Sequence, residues 1–219
     1  SILFSLPYAW GMGMMGLFLV ENFLIRIPWF KDIWHFAVLG MAFLLLAAAF
    51  FIRGRAGERE GFSSQQGPLK WYEWLFILLI FIKLALSLYG VLINPVMDSD
   101  AASPFRWMGL AKVIGENGML PEGTQFYDRL MPVLLAVWTR MFLPRWYDSL
   151  AGIPWFLTYL SFVGIAFVAS RALLKNRPLS LALAYFFSSV PLAVVHVMRP
   201  GYADLLVAYF FLAAVSGIA

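Results

Sequence analysis

The chain contains no cysteine. Disulfides and thiolate-bound metals are therefore excluded. It has only two histidines, too few for a histidine-rich metal centre. Charge is scarce as well. Only 13% of residues are Asp, Glu, Lys or Arg, against roughly a quarter in soluble domains. No basic leader precedes the first apolar run, so a cleavable signal peptide is not expected. The sequence stops inside another apolar run, and further helices are expected beyond Ala219.

What remains is apolar. Hydrophobic residues make up 62% of the chain, and the mean hydropathy is +0.80. Several runs approach the ~20 residues that cross hydrocarbon as a helix. The expected fold class is all-α, a polytopic transmembrane bundle with about six spans. The net charge of +4 comes with basic residues placed in loops between the runs. That pattern signals topology rather than nucleic acid, which is not expected as a partner.

The first run, 2–24, holds Gly11, Gly13 and Gly16. They spell G-x-G-x-x-G, but no strand pattern precedes them, so a nucleotide site is not expected. Small residues that admit a neighbouring helix are the better reading. The second run, 35–52, leads into an Arg/Gly-containing polar stretch ending at Lys70. The positive-inside rule makes that loop cytoplasmic. Trp71, Tyr72 and Trp74 then form an aromatic belt opening the run 74–93, which exits on the far side.

Residues 129–143 are apolar in part but carry Arg129 and Arg140. As a helix they reach about 22 Å, short of the ~30 Å core. Lying along the interface, they leave Arg171, Lys175 and Arg177 on the cytoplasmic side after the run 150–170. The run 179–197 then returns outward as one span, and 203–219 begins the next. Residues 94–149 thus form one outer loop with two helices lying on the membrane. The first is expected to start at Ser103-Pro104 and stop at Asn117-Gly118. Trp107, Leu110, Ala111 and Ile114 share one of its faces. Lys83 sits near the middle of its run, where a charge is expensive and demands a partner or a polar cavity.

Carboxylates beside a bilayer are expensive to place by accident. Asp98-Ser99-Asp100 opens the outer loop, and Asp204 follows the run 179–197. All three fall on the same expected face. This layout resembles the GT-C superfamily of membrane glycosyltransferases, whose members include protein O-mannosyltransferases and the aminoarabinose transferase of lipid A. Three features carry the resemblance. The acidic motif Asp98-Ser99-Asp100 follows a span. The loop continues with the helix Trp107–Lys112 and the segment Tyr127-Asp128-Arg129-Leu130-Met131-Pro132. An aspartate recurs in Gly201-Tyr202-Ala203-Asp204-Leu205. The match covers about 71–219. Residues 1–70, with the first two runs, are then an N-terminal extension ending in the cytoplasmic loop.

The resemblance implies sugar transfer, with inversion, from a polyprenyl-phosphate-linked donor on the extracytoplasmic face, in a bacterial inner membrane. Such transfer needs a base for the acceptor proton and groups that stabilise the leaving phosphate. Asp100 is the first choice of base and Asp98 the second. Asp98, Asp100 and Asp204 are also expected ligands for a divalent cation, Mg2+ or Mn2+. Arg106, Lys112, Arg129 and Arg199 are expected to bind lipid phosphate. His196, Tyr202 and Asp204 are expected to contact substrate. The alternative is a non-catalytic transmembrane subunit of a larger membrane complex, with a transporter third.

Overall fold

The computed structural model describes residues 7–16, 67–93, 107–117, 132, 135, 136, 138, 152–198 and 204–218. The run 35–52 and the motif Asp98-Ser99-Asp100 lie outside these residues. So do the expected start of the loop helix at Ser103-Pro104 and its stop at Gly118. Among the described residues there is no strand. The helices are α1 (Trp71–Ile93), α2 (Trp107–Asn117), α3 (Ile153–Leu174), α4 (Arg177–Ser188), α5 (Pro191–Met198) and α6 (Asp204–Ile218). A further helical stretch covers 7–16.

Two helices, α1 and α3, are long and apolar enough to cross a membrane, or three if α4 and α5 count as one bent span. That is fewer than the six expected. The difference has three sources. The run 35–52 is outside the described residues, only 7–16 of the run 2–24 are described, and α6, at 15 residues, reaches only about 22 Å.

The faces of α1 identify its surroundings. Glu73, Ser87, Gly90 and Val91 are buried. Leu78, Phe81, Ile82 and Leu86 are exposed. A helix that is apolar all round yet packed on one side only leaves a contiguous apolar flank, and such a flank suits lipid rather than water.

The turn between α3 and α4 consists of Lys175 and Asn176. Lys175 adopts the left-handed conformation at φ 51°, and its N–H bonds to Arg171 O. Asn176 caps α4, its side chain accepting from Leu179 N at 3.1 Å. Pro178 lies in the first turn of α4, where no N–H is needed.

The run 179–197 is not one straight span. It breaks after Ser188, and α5 leaves at 54° to α4. Pro191 has no N–H to offer the preceding turn, so the helix cannot continue through it. The buried carbonyls freed there find other donors. Phe187 O accepts from Val190 N at 3.3 Å. Ser188 O accepts from the hydroxyl of Tyr159, which is fully buried on α3.

α3 is the hub of the bundle and packs most extensively on α4 and α6, while α1 packs on α4. Trp155, Tyr159 and Ile165 from α3 join Tyr209 from α6 and Met14 in one buried cluster. The stretch 7–16 is tied to this core. Trp10 Nε1 donates to Thr158 Oγ1 at 3.1 Å, and Tyr209 OH donates to Pro7 O. Gly11 lies against the Tyr209 ring so closely that a Cβ would collide with it. The glycine therefore serves helix approach, and no nucleotide loop forms there.

Leu110, Ala111 and Ile114 do share a face of α2, but that face is buried in the same protein cluster. Leu135 and Ala136 join it. Helical periodicity identifies an apolar face without identifying what covers it, and here protein covers it.

Candidate functional site

Polar groups gather at the two opposite ends of the bundle. At one end, Glu73 on α1 is almost fully buried, at 1% exposure. Arg177, the first residue of α4, donates to it through Nε at 2.6 Å and Nη2 at 2.8 Å. The same guanidinium reaches Gly67 O at 3.0 Å and Pro68 O at 3.1 Å. Lys70 N donates to Glu73 Oε2 at 2.7 Å. Every lone-pair direction used on the carboxylate thus has a donor, which is what a buried ion pair requires. This end joins the start of α1 to the α3–α4 turn.

At the far end, α1 and α5 finish side by side. A Cβ at Gly90 would collide with the Met198 side chain. One turn from the end of α5, His196 Nε2 lies 3.7 Å from Asp204 Oδ2 at the start of α6. That separation is longer than a hydrogen bond. It becomes an ion pair when the imidazole is protonated. Asp204 is 68% exposed and His196 16%. Asp204 also lies in the first turn of its helix, where a negative charge is favourable in any protein.

The structure therefore brings together two of the expected substrate residues, His196 and Asp204. Lys112 is exposed on α2, and no hydrogen bond or ion pair joins it to either of them. Asp98, Asp100, Arg106, Arg129, Arg199 and Tyr202 lie outside the described residues. Among the described residues no group of three metal-ligating side chains exists. Among these residues the ionisable group in contact with Asp204 is His196, so the described residues alone do not compose a site for Mg2+ or Mn2+.

Lys83 is half-buried, and among the described residues no hydrogen bond or ion pair holds it. An open cleft of about 260 Å³ lies nearby between α1, α3 and α4, but its lining is apolar and does not include Lys83. Nothing there has the polar character of a transport path.

Glu73 is the residue that sequence patterns failed to reveal. Its partner is 104 positions away, beyond any local spacing rule. The available signal is a carboxylate set between aromatic belt residues, Trp71, Tyr72 and Trp74. A charge at that depth demands a counterion.

No family model matches the chain, and no curated protein or solved structure matches it significantly.

Proposed function

We propose that the chain is an integral-membrane protein whose far end carries part of a glycosyl-transfer site fed by a polyprenyl-phosphate-linked sugar. The observation that supports this reading is the convergence at that end. The Gly90–Met198 approach and the His196–Asp204 contact put the exit of α1 beside the entry of α6. Asp98 follows Ile93 by only five residues, a reach of at most about 18 Å. That chain length allows Asp98 and Asp100 to reach the rim that carries Asp204.

In this reading Asp100 takes the proton from the acceptor hydroxyl as that oxygen attacks the sugar's anomeric carbon. The bond to the lipid phosphate breaks, and the phosphate leaves with the electron pair. His196, when protonated, and Arg199 are the cations nearest in sequence to Asp204 that can stabilise that leaving charge. His196 stands on α5 with its Nε2 3.7 Å from the Asp204 carboxylate.

A second reading, a non-catalytic subunit of a larger membrane complex, draws on the apolar flank of α1. Phe81 is 67% exposed and Leu86 56%, which leaves room for helices of other chains.

The test is transfer of a labelled sugar from a polyprenyl-phosphate donor by the purified chain and by its Asp100→Asn and Asp204→Asn variants. Asp100→Asn is expected to lower the rate at least about a hundredfold, with donor binding little changed. Unchanged turnover in both variants, or no turnover with any donor of this class, removes the catalytic reading and leaves the subunit in front.

A further inference from the structure

We propose that the cleft between α1, α3 and α4 holds one chain of an anionic membrane phospholipid, with the lipid phosphate seated on Arg171. The inference rests on the membrane-protein reading alone and not on glycosyl transfer.

The cleft is open at the bundle surface and apolar. Its α3 wall is built from Leu160, Gly164 and Phe167. These recur at helical spacing, and the next position in that row is Arg171. On α1 the row of Ile77, Ile80 and Leu84 is headed by Glu73. On α4 the row of Leu181 and Ala184 is headed by Arg177. Three apolar rows therefore run down to three charges at one end of the bundle.

Two of those charges satisfy each other, because Glu73 and Arg177 form the bidentate pair. Arg171 is left over. Its Nη1 is buried, and it has no hydrogen-bond partner among the described residues. A guanidinium nitrogen withdrawn from water without an acceptor is unfavourable. A phosphate oxygen is the acceptor that its planar fork fits best. Lys175, exposed one turn further on, adds a second positive charge.

Length selects a lipid over a free anion. From Leu160 to Arg171 the helix rises about 16 Å, close to half of the ~30 Å hydrocarbon core. A chain that enters at the depth of Arg171 therefore fills the row to the bilayer midplane. Leu173 and Leu174, exposed beside Arg171, flank that entry with apolar surface. A water-soluble phosphate uses the cation and leaves the groove empty, whereas a phospholipid uses both.

The experiment is native mass spectrometry of the full chain in mild detergent, titrated with phosphatidylglycerol or phosphatidylcholine. The wild type is expected to retain one phosphatidylglycerol, preferred at least about fivefold over phosphatidylcholine, the ratio one interfacial cation supplies. Arg171→Gln is expected to lose that preference, and Arg171→Lys to keep most of it. Leu160→Trp, which fills the groove at its exposed rim, is expected to lose both lipids. Glycerol phosphate added in excess is expected to displace neither. Equal retention of the two lipids by the wild type overturns the proposal. So does an unchanged preference in Arg171→Gln, displacement by glycerol phosphate, or a lipid-free dimer whose second copy covers the groove. If Arg171→Gln does not fold, the wild-type preference and the Leu160→Trp variant still decide the matter. Loss of the glycosyl-transfer reading leaves all of these outcomes as they stand.

Discussion

Arg177 holds Glu73 by two hydrogen bonds, of 2.6 and 2.8 Å, from the neighbouring helix α4. The same side chain also holds the backbone that leads into α1, through the carbonyls of Gly67 and Pro68. One residue at the start of α4 thus fixes both the side-chain and main-chain ends of α1. The pairing is fork to fork, the geometry in which arginine cannot be replaced by lysine without loss.

Removing Arg177 leaves the buried Glu73 carboxylate uncompensated, whereas Arg177 without Glu73 keeps the carbonyls of Gly67 and Pro68 and is partly exposed. Arg177→Met is expected to destabilise the chain by about 3–5 kcal/mol, and Glu73→Gln by less. The double variant Glu73→Gln/Arg177→Met is expected to regain part of that loss. Unfolding in mixed detergent micelles measures all three. Single losses that simply add in the double variant would show that the two groups do not depend on each other.

The helix break predicts a second effect. Tyr159→Phe keeps the ring among its buried neighbours and removes only the hydroxyl that bonds Ser188 O. A buried carbonyl without a donor costs about 1–3 kcal/mol. The same unfolding measurement is expected to show that loss, together with faster amide exchange around residues 188–194. A variant as stable as the parent would mean that water reaches the break.

The absence of cysteine gives a direct view of topology. Gly67 is exposed with open space around it, and Lys175 is exposed in the α3–α4 turn. Gly67→Cys and Lys175→Cys are expected to react with an impermeant thiol reagent from the same side of sealed vesicles. Ser99→Cys is expected to react from the other side. Gly67 and Lys175 labelled from opposite sides would be incompatible with the Glu73–Arg177 clasp in the membrane.

Features carried by local physics were legible in the residues. The apolar run and aromatic belt mark α1, whereas the start of α4 at Arg177, two residues before the apolar run 179–197, came only with the structure. The glycine series that begins at Gly11 marks a close helix approach. Average hydropathy makes 179–197 look continuous, yet Pro191 inside it is a breaking signal that apolar neighbours do not cancel. For α2, the correct residues share a face, but its cover proved to be protein. The Glu73–Arg177 pair was illegible because it is long-range, and no spacing rule couples positions 104 apart. Of the candidate site, His196 and Asp204 are seen to meet. Their meeting depends on how α5 and α6 are placed against each other, which residue type alone does not fix.

The clasp also imposes an order on synthesis. Glu73 leaves the ribosome 104 residues before Arg177. At about 5–20 residues per second that is an interval of about 5–20 s. Throughout it, the first turn of α1 carries a carboxylate whose counterion has not yet been made. The apolar body of the helix can enter hydrocarbon at once, while its acidic end is held at the aqueous boundary. Arg177 is made only three residues after the end of α3, and until then the carboxylate has no guanidinium partner for its buried position. The depth of an early helix is thereby set by the first residue of a late one.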